Sequence, residues 1–240
     1  MTSSARVANR WLRQQPCDLR LSSWAGKGQS HGLVHSDLRP GEGARLSAAG
    51  QELHGWDKYA MLVAQSYRAA PSETGQGKKS YIGLKQHILA MFKHMRSKIK
   101  VEFVHDDPYQ SADQMMKEVA DTGVLQVSDE FNQSAAFGPE VNLMLRAVHD
   151  FEAHLMSTPG KRKPSSFTLE GEMQAYDRHL HLVGCGSAAT GALFTEIVGQ
   201  VCHYIHYGQF PDQKIITMPD FDWCHIGAVR GYTIRDGDLV

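Results

Sequence analysis

The sequence predicts a mainly α-helical fold, with a helical bundle in the C-terminal half and a few short strands in a less regular N-terminal and middle part. Three observations carry that expectation. Apolar residues recur at helical spacing over long stretches after residue 55. Between residues 139 and 207 three such stretches follow one another, separated only by short polar breaks. Only two short runs, VEFVHDDPY and VLQVSD, read as strands.

The 240 residues are 42% hydrophobic and 21% charged with a net charge of −1, the composition of an ordinary globular protein whose overall charge selects no partner. We expect an irregular extension with short helices over residues 1–75 and a main helical domain over 76–240. The N-terminal MTSSARVANRWLRQQP has no continuous apolar run of signal-peptide length. Nor does any stretch approach the roughly 18 apolar residues of a membrane span, so the expectation is a cytoplasmic protein with no membrane contact.

Taken in order, residues 4–14 predict a short helix with Val7 and Trp11 on one side and Arg6, Arg10 and Arg13 around the other, ending before Pro16. Residues 20–53 are rich in turn formers and predict an irregular connection with one short element. WDKYAMLVAQSYRAA places Tyr59, Leu62, Val63 and Tyr67 at helical spacing, and PSETGQGKKS then reads as a break. From Tyr81 to about Lys98 a stripe of Leu84, Ile88, Met91, Phe92 and Met95 predicts a helix. Lys78, Lys79, Lys85, Lys93, Arg96, Lys98 and Lys100 make the 78–100 segment basic, which suits either a solvated face or contact with nucleic acid.

The two strand-like runs flank a helix that Ser111 starts and Gly123 ends. The C-terminal helices run from Pro139 to Met156, from a Thr168 cap to His181, and from about Ala188 to Tyr207 with Gly208 as the stop.

The chemistry concentrates on those last three helices. Thirteen His residues invite a search for clusters, and RAVHDFEAHL supplies Arg146, His149, Asp150 and His154, with Asp150 and His154 one turn apart on one face. Glu172, Tyr176 and His179 line one face of the next helix, and Glu196, Gln200 and His203 repeat that spacing on the last. Burying such groups costs several kcal/mol each unless they are paired, hydrogen-bonded or metal-bound (roughly 2–7 for a neutral polar group).

Asp150, His154, Glu172, His179, Glu196 and His203 are therefore candidate ligands of a divalent metal, with Fe, Mn or Zn suited to an oxygen and imidazole set. His149, Arg146, Tyr176 and Gln200 are candidate catalytic or substrate-contacting residues. The Glu-x-x-His spacing of ferritin-like di-iron bundles is absent. The four cysteines, Cys17, Cys185, Cys202 and Cys224, have no paired spacing and read as isolated thiols in a reducing compartment.

The segments NLMLRAVHDFEAHL and ALFTEIVGQVCHYIHYGQFPDQKI resemble those of uncharacterised proteins from tailed-phage and bacterial genomes, over roughly the part from Tyr109 onward. That resemblance implies no activity. The adjacent His149 and Asp150 also resemble the dyad of HD-type phosphohydrolases, over that dipeptide alone.

The expectation is a metal-dependent enzyme with a His/carboxylate site in a helical bundle. It would act on a nucleotide or other phosphate-containing small molecule, or carry out an iron-dependent oxidation. The alternative is a non-enzymatic phage-type structural or interaction protein, in which the same groups form a buried polar network.

Overall fold

The computed structural model describes residues 36, 38–130, 132–155, 168–229, 232–235 and 238–239. The short helix expected at 4–14 lies outside these residues. The first described element is α1 (Glu42–Ala48), followed by α2 (Gly55–Ala69) and α3 (Gly75–Arg96). Next come β1 (Lys100–Val104), α4 (Ala112–Thr122), β2 (Val124–Ser128) and α5 (Pro139–His149), which continues into a π-helical turn, Asp150–Leu155. Beyond it, α6 (Leu169–Val183) precedes one long helical run made of α7 (Thr190–Phe194), a second π-helical stretch Thr195–Gly199, and α8 (Gln200–Tyr207). The chain closes with the short strands β3 (Ala228–Val229), β4 (Tyr232–Arg235) and β5 (Asp238–Leu239).

Most boundaries follow from local chemistry. The Ser111 hydroxyl accepts the Gln114 N–H at the start of α4, and Thr168 does the same for Gly171 at the start of α6. Gly123 and Gly208, both at positive φ, end α4 and α8 by donating back to Val119 and Tyr204.

One boundary differs from expectation: α3 begins at Gly75, inside the stretch read as a break. The Thr74 hydroxyl caps it by accepting the Gly77 N–H at 2.9 Å. Gly77 is needed there because a Cβ would lie 2.0 Å from the Ile215 carbonyl oxygen. Gly77 thus admits a crossing strap, tied by Thr74 N–H to Ile215 O at 2.9 Å and Ile215 N–H to Ser72 O at 2.8 Å, where sequence rules see only a turn.

β1 and β2 pair in parallel, Lys100 opposite Val124 through Val104 opposite Ser128, with α4 as the crossover. Among the described residues the interior forms two apolar clusters. The larger joins Tyr59, Val63 and Tyr67 of α2 with Tyr81, Leu84 and Ile88 of α3, Met173 and Tyr176 of α6, and Phe194 and Val198 of the last helical run. α2 and α3 thus share one core, and the boundary expected at 75/76 lies in the first turn of α3. The smaller cluster joins Phe92 and Met95 of α3, Val119, Leu125 and Val127 with Ala147, Val148 and Phe151.

The fold positions its chemistry at the seam of these clusters. Ala147, Val148 and Phe151, which flank His149 and Asp150, belong to the smaller one, and Leu169, Met173, Tyr176 and Leu180 of the facing helix α6 belong to the larger.

Candidate functional site: a carboxylate and imidazole relay

His149 is the last residue of α5, at the point where the helix widens into its π turn. π turns insert a residue into the helical ladder and are frequent at functional sites. Across the seam, Glu172, Tyr176 and His179 occupy one face of α6 and are all buried. His149 Nε2 stands 3.3 Å from Glu172 Oε2, and His149 Nδ1 stands 3.3 Å from His179 Nε2. The two imidazole planes are 13° apart with centroids 5.4 Å apart.

The result is a chain, Glu172 to His149 to His179, because His149 presents a different ring nitrogen to each neighbour. In such a chain the carboxylate fixes the tautomer of the central imidazole, and the other nitrogen is left to exchange a proton. Burial disfavours the His149 imidazolium. The Glu172 hydrogen bond, the Glu172 charge and the Asp150 charge more than offset it, so the His149 pKa lies above the ordinary histidine value. Asp150, next in the chain, is raised to about 6, first by burial and then by the Glu172 charge, against the lowering pull of His149 and Arg146.

A second polar couple ties the same two elements. Arg178 Nη2 of α6 donates to Glu152 Oε2 of the π turn at 3.3 Å, with both side chains largely buried. Burial outweighs Arg178 and holds the Glu152 pKa above the usual carboxylate range.

The remaining expected site residues fall elsewhere. Arg146 Nη1 donates to the carbonyls of Ser128 and Glu130, at 3.0 and 2.6 Å, and so ties α5 to the end of β2. Tyr176 donates to the Trp223 carbonyl at 2.5 Å. His154 lies in the π turn, with its side chain outside the described residues.

Glu196 and Gln200 do come together, in a separate network. Glu196 Oε1 meets the Tyr81 hydroxyl, Gln200 Nε2 donates to Oε2 at 3.0 Å, and Gln213 Nε2 lies 3.0 Å from both oxygens. Burial pushes the Glu196 pKa up to about 7 against these hydrogen bonds. Proton counting agrees: the Tyr81 hydroxyl also stands 2.9 Å from the Lys214 carbonyl and has one hydrogen to give. A protonated Glu196 donating to Tyr81, which donates to Lys214, satisfies every contact.

His203 stands apart from that network, its Nδ1 2.9 Å from the Gln209 carbonyl. A carbonyl can only accept, so Nδ1 carries the hydrogen. Burial first, then the Arg68 and Lys214 charges, hold the ring below the ordinary histidine pKa.

Among the described residues, no group of three or more His, Cys, Asp or Glu side chains is arranged to hold a metal ion. No family model, curated protein or solved structure matches the chain. The relay is therefore read from its own geometry.

Sequence reasoning missed four participants. Tyr81 and Gln213 reach Glu196 from α3 and from the strap, and no local spacing announces either. Arg178 and Glu152 pair across two helices, and an i, i+4 search within one helix passes over them.

The cysteine reading is corrected. Cys185 and Cys224 form a disulfide across 39 positions, while Cys202 is a buried free thiol and Cys17 lies outside the described residues. Spacing cannot reveal a partner brought close only by the packing of the 218–227 loop. Among the described residues no helix is long and apolar enough to cross a membrane.

Proposed function

We propose that the chain is an enzyme working by general acid–base catalysis, with His149 as the proton-transferring group, Glu172 as its orienting carboxylate and His179 as the second imidazole of the relay. The observation that carries this reading is the engagement of both His149 ring nitrogens, one by a carboxylate and one by an imidazole. Glu172 accepts the Nε2 hydrogen, which leaves Nδ1 to pass a proton to or from His179. The His149 side chain is 20% exposed, so part of the ring borders solvent, and a substrate would approach from that side. Phosphate esters and nucleotides are the first substrates to assay, since the His149 and Asp150 dyad suggests hydrolysis.

A divalent metal, Fe, Mn or Zn, is a second reading, favoured by one distance. Imidazole nitrogens 3.3 Å apart match the edge of a tetrahedron with metal–nitrogen bonds of about 2.0–2.1 Å. It requires His149 to turn so that one nitrogen faces both partners. For the basic helix α3 we propose a separate role in contacting nucleic acid. Its 22 residues include Lys78, Lys79, Lys85, Lys93 and Arg96 and no acidic residue.

The test compares the parent with His149→Gln and Glu172→Gln in phosphoesterase and nucleotidase assays, with metal content measured alongside. The acid–base reading expects activity to fall by about 100-fold or more in His149→Gln, without bound metal in the parent. Stoichiometric metal lost in both variants would move the assignment to the metal reading. A folded parent inactive on every substrate, with both variants altered only in stability, would make the cluster a structural network that fixes helix packing.

A further inference from the structure

The Cys185–Cys224 disulfide meets the relay helix at two places. Cys185 directly follows Gly184, the residue that ends α6, so one sulfur hangs from the end of the helix that carries Glu172 and His179. Cys224 directly follows Trp223, whose carbonyl accepts the Tyr176 hydroxyl of the same helix. The Trp223 indole N–H is fixed in turn to the Met218 carbonyl at 2.8 Å. Its ring closes over Gly191 of α7, where a Cβ would come within 3.0 Å of it. The 218–224 segment is thereby seated against α6 and the start of α7, and the disulfide clamps it in place.

The clamp is open to attack. Cys185 is exposed and Cys224 half-buried, and a Cβ built at either Gly184 or Gly186 would meet nothing within 4 Å. A thiolate can therefore approach the Cys185 sulfur past both of its neighbours. The other described cysteine, Cys202, is fully buried, so among the described residues no thiol is placed to attack the bond, and the proposal takes its thiol from a separate reductant. Disulfides that serve only as staples resist reduction, whereas exposed ones are the labile and regulatory class.

The geometry points to Cys185–Cys224 as a reversible thiol–disulfide exchange site whose reduction loosens the C-terminal end of α6 and with it the His179 end of the relay. The last clause rests on the acid–base reading above. The co-reactant is a dithiol. Its thiolate attacks the Cys185 sulfur, the bond between the two protein sulfurs breaks, and the electron pair leaves on Cys224, which takes up a proton. The second thiol of the reductant then attacks its own sulfur in the mixed disulfide and releases Cys185, which is protonated in turn. Two electrons and two protons pass to the chain, the reductant leaves as a disulfide, and the reverse steps restore the clamp.

The experiment treats the native full chain with dithiothreitol and maps alkylated thiols by mass. It then follows amide hydrogen exchange over residues 172–184 and the NMR titration of His149. The expected result is labelling of Cys185 and Cys224 but not Cys202, with exchange near the end of α6 faster by about tenfold or more and reversed on reoxidation. The Cys185→Ser, Cys224→Ser double variant should reproduce the reduced state. Tyr176→Phe, which removes the second tie between α6 and the loop, should raise exchange in the oxidised chain and shrink the further change on reduction.

A disulfide that resists dithiothreitol until the chain unfolds, or α6 exchange that is the same in both redox states, would overturn the proposal. If α6 loosens on reduction while His149 titration ignores both the disulfide and Glu172→Gln, the exchange site stands and the relay reading fails.

Discussion

Two π-helical stretches, Asp150–Leu155 and Thr195–Gly199, carry carboxyl groups into the interior, and they meet the cost of desolvation in different ways. Along the first, the partners are cationic or can become so: Arg178 for Glu152, and the preceding residue, His149, for the Glu172 of α6. Around the second, Glu196 is surrounded by Tyr81, Gln200 and Gln213, none of which carries charge, and its pKa rises to about 7. A buried carboxyl with a cation nearby can stay ionised and orient an imidazole. One among neutral donors is more stable protonated, and serves to fix packing.

That contrast predicts a graded set of responses. The largest belongs to the ionic side: Arg178→Met leaves Glu152 buried without its cation and should cost about 3 kcal/mol or more in chemical denaturation. Adding Glu152→Leu should recover most of that loss. A single variant no less stable than the parent would show that the pair contributes nothing to holding α6 against the π turn.

The next is a pH effect on the neutral side. The folded pKa of Glu196, about 7, is above the ordinary 4.5. The folded state therefore binds this proton more tightly than the unfolded chain, and the associated stability is complete below pH 4.5 and lost as pH rises through 7. Asp150, raised from 3.8 to about 6, acts in the same direction over a lower window. Glu196→Gln keeps a donor for Tyr81 without the ionisation. It should be more stable than the parent at pH 8 by on the order of 1–3 kcal/mol, with little difference at pH 5. An equal effect at both values would mean that Glu196 is ionised throughout.

The smallest effect belongs to the surface. Lys79, Lys85 and Lys93 are exposed on α3, so the triple change to Gln should leave stability within about 0.5 kcal/mol of the parent. It should weaken binding to a DNA duplex and flatten its salt dependence if α3 contacts phosphates. Unchanged binding and slope would remove α3 from that role.

Much of the helical architecture was legible because it is written locally. Ser111, Thr168, Gly123 and Gly208 mark helix ends wherever the chain is folded, and the apolar stripes at Leu84, Ile88 and Met95 or at Tyr59, Val63 and Tyr67 select a buried face. The face shared by Glu172, Tyr176 and His179 was equally visible, since spacing within one helix is fixed by its pitch. What stayed hidden depends on which elements meet. The strap that delivers Gln213 to Glu196, the Glu152 and Arg178 pair, the parallel pairing of β1 with β2 and the Cys185–Cys224 bond all join residues that no local period relates. The π turns were hidden for another reason: an inserted residue shifts the helical register without altering the composition that signals a helix.

The central claim is that Glu172 controls the protonation of His149, and the most direct measurement is the NMR titration of the His149 ring in the native chain and in Glu172→Gln. The account predicts a parent pKa above the ordinary histidine value that falls when the carboxylate is replaced, with the Nε2 hydrogen resolved in the parent. A His149 that titrates identically in both chains would contradict it.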